Sequence, residues 1–238
     1  MQLTWRGRAT WLAHFFKALT QQHHRELTPR LKPFIPEDAL VVDVGAHAGQ
    51  FMKLFAGFVP RGRVISVEPG VYARSILEKV VRLRGLRNVT IVPAGLSDAP
   101  GQAALHVPVK PKGSMRFGVS HLGQEERAPH VDETIALTTL DLLAQDQSLP
   151  RLDFLKCDVE GWEIRMLKGG MKTIARFKPV LMLELVAASL TRAGNKPHEA
   201  WEMLSPLGYR AELLHEGSPA PAYSRPADYL FIPAAQAA

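Results

Sequence analysis

An acidic residue and a glycine turn directly follow a buried strand near the start of the chain, and a second carboxylate follows on the next strand. Residues 40–42 are apolar and largely β-branched, as in a strand covered on both faces. Asp43 comes next, then Gly45 and Gly49, which permit a tight turn and a close approach of backbone to a ligand. Glu68 ends the next predicted strand, where a carboxylate can accept hydrogen bonds from both hydroxyls of a ribose. This pattern is typical of the nucleotide-binding edge of a Rossmann-like sheet.

The spacing of the glycine loop argues against a dinucleotide. Dinucleotide loops have the spacing G-x-G-x-x-G, so that a helix N-terminus faces a pyrophosphate. Here three residues, with His47 among them, separate Gly45 from Gly49. The carboxylate of Asp43 would repel a diphosphate, but it suits a ligand with positive charge, such as the sulfonium and ammonium of S-adenosylmethionine. The simpler alternative is that Asp43 caps the next helix and the glycines only turn the chain.

A second cluster of ionisable residues ends a strand predicted at 153–157. Lys156, Asp158 and Glu160 lie at its carboxyl end, which is where open α/β sheets bind ligands. Asp158 could hold the amine of a cofactor or line an acceptor pocket, and Glu160 could orient or deprotonate a hydroxyl. For both residues we favour these roles over stabilisation of a helix terminus. Glu163 is expected only to stabilise the N-terminus of the following helix.

Strands and helices alternate along the segments that would position these groups. The alternation predicts an α/β fold with a doubly wound sheet of about seven strands that finishes in an antiparallel hairpin. One helix is expected after the 153–157 strand, because Ile164, Leu167, Met171 and Ile174 form a single apolar stripe. After the first strand, the others are predicted at 63–68, 88–94, 104–109 with 134–137 as an added pair, 153–157, 180–186, 209–214 and 228–232.

Two segments stand apart from this pattern. Residues 1–38 are predicted to form a helical extension, and residues 39–238 the sheet domain. The extension has an apolar stripe that we expect to pack over the domain, with a dimer contact or a peripheral membrane contact through residues 1–30 as the alternatives. The stripe consists of Trp11, Leu12, Phe15, Phe16 and Leu19.

The polar segment 108–133 has little periodicity and is predicted to be a substrate lid. Basic residues of this segment, such as Lys110, Lys112, Arg116 and His121, hint at a polar or anionic acceptor.

Composition narrows the class of protein. The 238 residues are 46% hydrophobic, which supports one α/β domain with a modest extension, and no run of about 18 apolar residues predicts a transmembrane helix. Because no secretory signal is recognisable and Cys157 is the single cysteine, we expect a cytoplasmic protein. The chain has a net charge of +6, but aromatic residues are not interleaved with its basic residues, which argues against a nucleic-acid partner. Asp158, Glu160 and Glu184 could converge on a hard cation such as magnesium or calcium, but no dense ligand spacing demands it. No cysteine pattern supports zinc at His23, His24, His121 or His130, so no metal is expected. The oligomeric state is left open.

Six short motifs together resemble the FkbM-type methyltransferases. They are DVGAHAG at 43–49, SVEP at 66–69, GLSD at 95–98, TTLD at 138–141, LKCDVEGWEIRMLKGG at 155–170 and LMLEL at 181–185. The fifth motif is the most specific. The resemblance implies the class I methyltransferase fold, S-adenosylmethionine as methyl donor, and O-methylation of a hydroxyl on a sugar, glycan or secondary metabolite. An NAD-dependent oxidoreductase and a non-catalytic cofactor-binding module are the competing hypotheses.

The resemblance also implies roles for individual residues. The expected cofactor-binding residues are Asp43, Gly45, His47, Gly49, Glu68, Pro69, Ser97, Asp98 and Asp158. Asp43, Gly45 and His47 would lie beside the methionine part, Glu68 at the ribose, and Ser97 with Asp98 near the adenine. Asp158, Glu160 and His47 are the candidates for the base that removes the hydroxyl proton of the acceptor. We expect His47 to orient the cofactor rather than to act as the base.

Overall fold

The structure, a computed structural model, describes residues 5–108, 121–122 and 130–234. The strands in chain order are β1 Leu40–Val44, β2 Arg63–Val67, β3 Val89–Val92, β4 Gly95–Leu96, β5 Gly101–Pro108, β6 His121–Leu122, β7 His130–Thr138, β8 Phe154–Cys157, β9 Val180–Leu185, β10 Tyr209–Leu213 and β11 Ala227–Pro233. The helices are α1 Trp5–Thr20, α2 Thr28–Leu31, α3 Gln50–Phe58, α4 Val71–Leu83, α5 Leu140–Asp146, α6 Glu163–Lys168, α7 Met171–Phe177, α8 Ala187–Arg192 and α9 Glu199–Leu204.

The main sheet has seven strands in the order β10-β11-β9-β8-β1-β2-β3. The strands from β9 to β3 are parallel, whereas β11 runs antiparallel to both β9 and β10. The predicted doubly wound sheet with an antiparallel end is therefore confirmed. The strand order reverses between β1 and β8, and open α/β sheets bind ligands at the carboxyl ends of the strands at such a reversal.

Both faces of this sheet are covered, which explains its nearly continuous apolar strands. In β1, Val41 packs with residues of α1, α3 and α4, whereas Val42 and Val44 pack on the opposite face with residues of α5 to α9. The same alternation separates Val64 from Ile65 in β2. With both faces occupied by helices, the polar residues of the central strands are concentrated at the strand ends.

A smaller sheet in the order β4-β7-β5-β6 lies beside the main one, and it contains the predicted added strand pair. Strands β5 and β7 are antiparallel over their whole length, with Leu105 opposite Glu133 and His106 opposite Asp132. Most of the segment predicted to be a lid lies outside the described residues, including Lys110, Lys112 and Arg116. His121 begins β6.

The prediction of one helix after β8 is wrong, because the chain forms α6 and α7 with a break at Gly169 and Gly170. A Cβ atom at Gly169 would lie 2.0 Å from the carbonyl oxygen of Ser97, so the backbone of this turn packs directly against another backbone segment. Ile164 and Ile174 are still fully buried on either side of the break. The apolar stripe therefore predicted the buried face correctly. The break between α6 and α7 follows from the close contact of Gly169 with the backbone of Ser97.

The N-terminal extension packs through α1 against α4. The indole Nε1 of Trp11 donates a hydrogen bond to Ser75 Oγ at 2.9 Å, and Phe15 is buried. Leu12 and Phe16 are exposed, so the expectation that the whole stripe packs over the domain is wrong for these two residues. These two side chains lie on a different side of α1 from Trp11 and Phe15 and point away from the contact with α4. None of the described helices has the length and apolar character needed to cross a membrane.

Candidate functional site

A cavity of about 570 Å³ lies at the carboxyl ends of β1, β2, β8 and β9. This volume is within the range of small-molecule sites. Leu105 and Glu133 of the β5–β7 pair form one wall, and Glu133 accepts a hydrogen bond from the N–H of Val71 at 2.9 Å. The N-terminal extension contributes another wall through Lys17 and His24. The cavity therefore lies at the predicted ligand-binding edge and is closed by segments on either side of it.

The carboxylate of Glu68 organises the end of the cavity beside the loop after β1. One oxygen accepts the N–H of His47 and the other accepts the N–H of Gly70, each at 2.8 Å. Burial raises the pKa of Glu68 to about 7, although both hydrogen bonds and the charge of Lys156 act in the opposite direction. Pro69 lines the cavity beside it. Glu68 thus holds the loop after β1 in place and still faces the cavity.

The loop after β1 approaches the loop after β8 very closely at Gly45. Its φ is +73°, and a Cβ atom there would lie 2.0 Å from the carbonyl oxygen of Asp158, so only glycine fits. His47 lines the cavity, also with a positive φ of 50°. Burial and the charge of Lys156 lower the pKa of His47 to about 4, so its imidazole is neutral at pH 7.

Lys156 lines the cavity and lies between two carboxylates. Its Nζ is 3.5 Å from Asp43 Oδ1 and 3.4 Å from Asp158 Oδ2, and it donates a hydrogen bond to the carbonyl of Gly45 at 3.0 Å. Burial alone would lower the pKa of Lys156, but the charges of Asp158 and Asp43 raise it above its usual value. Asp43 is fully buried, and burial raises its pKa despite the opposing charge of Lys156. Asp43 therefore acts on the cavity through Lys156 and does not line it.

Four carboxyl groups gather at the other end of the cavity, on Asp158, Glu160, Glu184 and Asp228. Burial and the charge of Asp158 raise the pKa of Glu184, which donates a hydrogen bond to Asp158. Burial opposes ionisation of Asp158, but Lys156 and the hydrogen bond from Glu184 lower its pKa. The two groups therefore titrate together, and Glu184 holds its proton more tightly than Asp158. Burial and the neighbouring Asp158 also raise the pKa values of Glu160 and Asp228.

Glu163 fastens the loop that carries Asp158 and Glu160. It is buried, and its Oε1 accepts the N–H groups of Val159 at 3.0 Å and Gly161 at 3.2 Å. Burial raises the pKa of Glu163 to about 7, although these hydrogen bonds lower it. Glu163 was expected to stabilise a helix terminus, and the structure adds that it fixes the backbone on both sides of Glu160.

Ser97 and Asp98 do not line the cavity; Ser97 is buried and Asp98 is exposed to solvent. Ser97 Oγ accepts a hydrogen bond from the indole of Trp162 at 3.1 Å and donates one to Asp98 at 2.8 Å. Asp98 also pairs with Arg165 at 3.4 Å. Trp162 itself lines the cavity. Ser97 therefore contacts the cavity only through the indole that it positions.

Six of the ten residues proposed from the sequence line the cavity, and four do not. The lining residues are Gly45, His47, Glu68, Pro69, Asp158 and Glu160. The four that do not line it are Asp43, Gly49, Ser97 and Asp98. Lining residues that the sequence did not identify include Lys17, His23, His24, Glu133 and Asp228.

One of the missed residues had a usable signal in the sequence. Asp228 lies near the start of β11, opposite Glu184 near the end of β9. Because β11 is antiparallel to β9, its first residues lie at the same edge as the carboxyl ends of the parallel strands. An acidic residue at the start of the final antiparallel strand thus belongs with the other strand-end carboxylates. The extension residues had no such signal, since their place follows from how α1 packs.

The chemistry of the lining groups fits S-adenosylmethionine. Among the described residues, six carboxyl groups but only two lysines line the cavity. The carboxyl groups belong to Glu68, Glu133, Asp158, Glu160, Glu184 and Asp228, and the lysines are Lys17 and Lys156. An acidic cavity attracts the sulfonium and ammonium charges of this cofactor and repels a diphosphate.

Comparisons with known proteins agree with this geometry. The family model of the methyltransferase FkbM domain matches residues 43–211. Methyltransferase sdnD of Sordaria araneosa is 29% identical over 161 residues, which cover 57% of this chain and 61% of that protein. Methyltransferase 1 of Beauveria bassiana (strain ARSEF 2860) is 28% identical over 153 residues, covering 58% of this chain and 60% of that protein. The chain thus spans about three fifths of the length of these relatives.

A solved structure shows the same fold. Methyltransferase FkbM from Methylobacillus flagellatus KT superposes with a TM-score of 0.53 at 16% sequence identity, covering 94% of this chain and 60% of that chain. At this identity the likeness concerns the fold alone. It agrees with the seven-stranded, mostly parallel sheet and the N-terminal helix.

Proposed function

This chain belongs to the FkbM methyltransferase family, and from that membership we propose that it transfers the methyl group of S-adenosylmethionine to a hydroxyl of a sugar, glycan or secondary metabolite. The observation that carries the proposal is the excess of carboxyl groups over lysines around the cavity. Because the matched family and both named relatives are methyltransferases, the oxidoreductase alternative gains no support. We also propose the cytoplasm as the location, since Cys157 is buried and is the single cysteine.

We propose that Glu68 holds the ribose of the cofactor. Each of its oxygens already accepts one backbone N–H, and a carboxylate oxygen can accept a second hydrogen bond from a hydroxyl. The loop that contains Gly45 and His47 would hold the methionine part, with the ionised Asp158 close to its positive charge. When bound, S-adenosylmethionine supplies a methyl group that an oxygen nucleophile can attack.

We propose Glu160 as the base that takes the hydroxyl proton of the acceptor. It lines the cavity, and burial together with Asp158 raises its pKa, which makes its carboxylate a stronger base. Asp158 has a lowered pKa and His47 a pKa of about 4, so each is the weaker base. These two residues are better suited to orient the reactants, and orientation supplies much of the rate of such a displacement.

The test separates binding of the donor from turnover. Calorimetry with S-adenosylmethionine should show weaker binding to the Glu68→Gln variant, while the Glu160→Gln variant should bind normally. With a labelled donor and a panel of hydroxyl acceptors, Glu160→Gln should lose about 10²–10⁴-fold in turnover. Glu202→Gln, an exposed position on α9, is the matched control.

Three results would count against these assignments. Unchanged turnover in Glu160→Gln removes Glu160 from the mechanism. Binding of a nicotinamide cofactor without S-adenosylmethionine binding overturns the proposed function. Donor binding without methylation of any acceptor would favour the non-catalytic module.

A further inference from the structure

Two histidines and an aspartate meet on the β5–β7 pair, on the face that points away from the cavity. His106 Nδ1 lies 2.7 Å from Asp132 Oδ1, and His130 Nε2 lies 3.3 Å from the same oxygen. The two imidazole rings are edge to face, with their centroids 5.0 Å apart. Within the part of the chain that the structure describes, this is the one group whose three ligand atoms all lie within 4.8 Å of one another.

Strand geometry explains why the three side chains share a face. His106 is directly opposite Asp132 in the antiparallel pair, and His130 lies two residues before Asp132 on the same strand. Leu105 and Glu133, the neighbouring opposed pair, point to the other face and line the cavity. The cluster is thus separated from the candidate active site by one layer of sheet.

We propose that this cluster binds a zinc-class divalent ion through His106, His130 and Asp132. Zinc in proteins binds imidazole nitrogen and carboxylate oxygen at about 2.0–2.2 Å, which puts neighbouring ligand atoms of a tetrahedron about 3.3 Å apart. The distance from His130 to Asp132 already has this value, and the distance from His106 to Asp132 needs to open by about half an ångström. A donor set of two imidazoles and one carboxylate favours zinc over magnesium or calcium.

The exposure of the three side chains fits a site that an ion can enter. The side chains of His106 and His130 are 8% and 14% exposed, whereas that of Asp132 is 53% exposed. The rings are therefore held within the structure while the carboxylate reaches solvent, which leaves the remaining coordination position to water. Cys157 is fully buried in the main core and supplies no thiolate. Three protein ligands leave one coordination position open, whereas in a closed structural zinc site protein ligands fill all four positions.

An ion at this position would join β5 to β7 by ligand bonds in addition to the backbone ladder. Because the opposite face of the same two strands forms a wall of the cavity, the ion would stiffen that wall. The same short distances would also arise if Asp132 only accepted hydrogen bonds from two imidazoles, and the experiment must separate these cases.

The test uses the full chain without a histidine tag, stripped with a chelator and then titrated with zinc chloride against a chromophoric chelator. One zinc ion per chain is expected by elemental analysis, with a rise in the unfolding temperature when zinc is added. His106→Gln and His130→Gln should each weaken zinc binding by at least about 100-fold, the upper end of what loss of an outer-shell partner costs. Asp132→Asn, at an exposed position that tolerates change, should also weaken it.

His198→Gln is the matched control, because His198 forms an exposed pair with Glu202 that has one imidazole and one carboxylate. It should leave zinc binding unchanged. Zinc bound equally by the wild type, His106→Gln and His130→Gln overturns the proposal, as does the absence of stoichiometric zinc in wild-type protein. Thermal unfolding of the same samples without zinc shows whether each variant is folded, and this measurement depends on neither zinc nor S-adenosylmethionine.

Discussion

Replacing Lys156 with methionine should destabilise the protein strongly, because it leaves a carboxylate buried without its counter-charge. Lys156 is 2% exposed and lies 3.5 Å from Asp43, which has no exposed surface. Removing one member of a buried pair costs about 3–5 kcal/mol, which is a large part of a typical total stability of about 5–15 kcal/mol. At about 2–4 °C per kcal/mol for a chain of this size, the unfolding temperature should fall by roughly 6–20 °C.

The assay is urea denaturation of four proteins: wild type, Lys156→Met, Asp43→Asn and the double variant. If the penalty comes from the unpaired carboxylate, Lys156→Met should cost much less in the Asp43→Asn background than alone. Lys172→Met, at an exposed position on α7, controls for the change of side chain. A cost below about 1 kcal/mol for Lys156→Met, or an equal cost in both backgrounds, would refute the reasoning.

The penalty should also depend on pH. Burial already raises the pKa of Asp43, and loss of the nearby ammonium raises it further. At a pH between the pKa of Asp43 in the unfolded chain and its higher pKa in the folded variant, the folded state binds one proton more than the unfolded state. Stability of Lys156→Met therefore falls as pH rises through this window and recovers as pH falls. Denaturation at pH 5 and pH 8 measures the difference, and a penalty independent of pH would contradict it.

Three further predictions concern the loops around the cavity. Burial raises the pKa of Glu163 from 4.5 to about 7, so stability should fall as pH rises through that range, and Glu163→Gln should flatten this fall in urea denaturation; an unchanged slope would contradict it. Gly45→Ala places a Cβ 2.0 Å from the carbonyl of Asp158 at a positive φ, which should cost at least about 1–3 kcal/mol and weaken S-adenosylmethionine binding in calorimetry; wild-type affinity would exclude this contact. Ser97→Ala leaves the buried indole N–H of Trp162 without its acceptor and should cost about 1–3 kcal/mol in thermal unfolding; a neutral effect would show that another acceptor replaces Ser97.

The central strands of the main sheet could be predicted from the sequence because most of their residues are apolar and a polar or turn-forming residue follows each strand. Residues 40–44 and 154–157 illustrate this, since every position in both strands is buried. In these two strands the apolar pattern of the sequence agrees with burial in the fold. The register of the strands follows from their pairing in the sheet. Helix α5 was not predicted, because it has only seven residues and too few apolar positions to show a period.

The candidate site was predictable to the extent that strand ends define it. Glu68 and Asp158 each follow a central strand, so topology alone brings them to one edge. Asp43 belongs to β1 itself, with a side chain buried in the sheet, so the same rule put it near the cavity but not in its lining. The contact between Ser97 and Trp162 could not be predicted, since the two residues are 65 positions apart and no local pattern links them.

The walls of the cavity come partly from segments outside the range that the family model matches. Lys17, His23 and His24 precede residue 43, and Asp228 follows residue 211. The matched range carries Glu68, Asp158 and Glu160, the groups proposed for the donor and the proton. The residues that the two ends contribute are therefore distinct from those groups. We expect acceptor preference to be transferable between relatives by exchanging their terminal segments, so that one shared transfer machinery could diversify its acceptors through its ends.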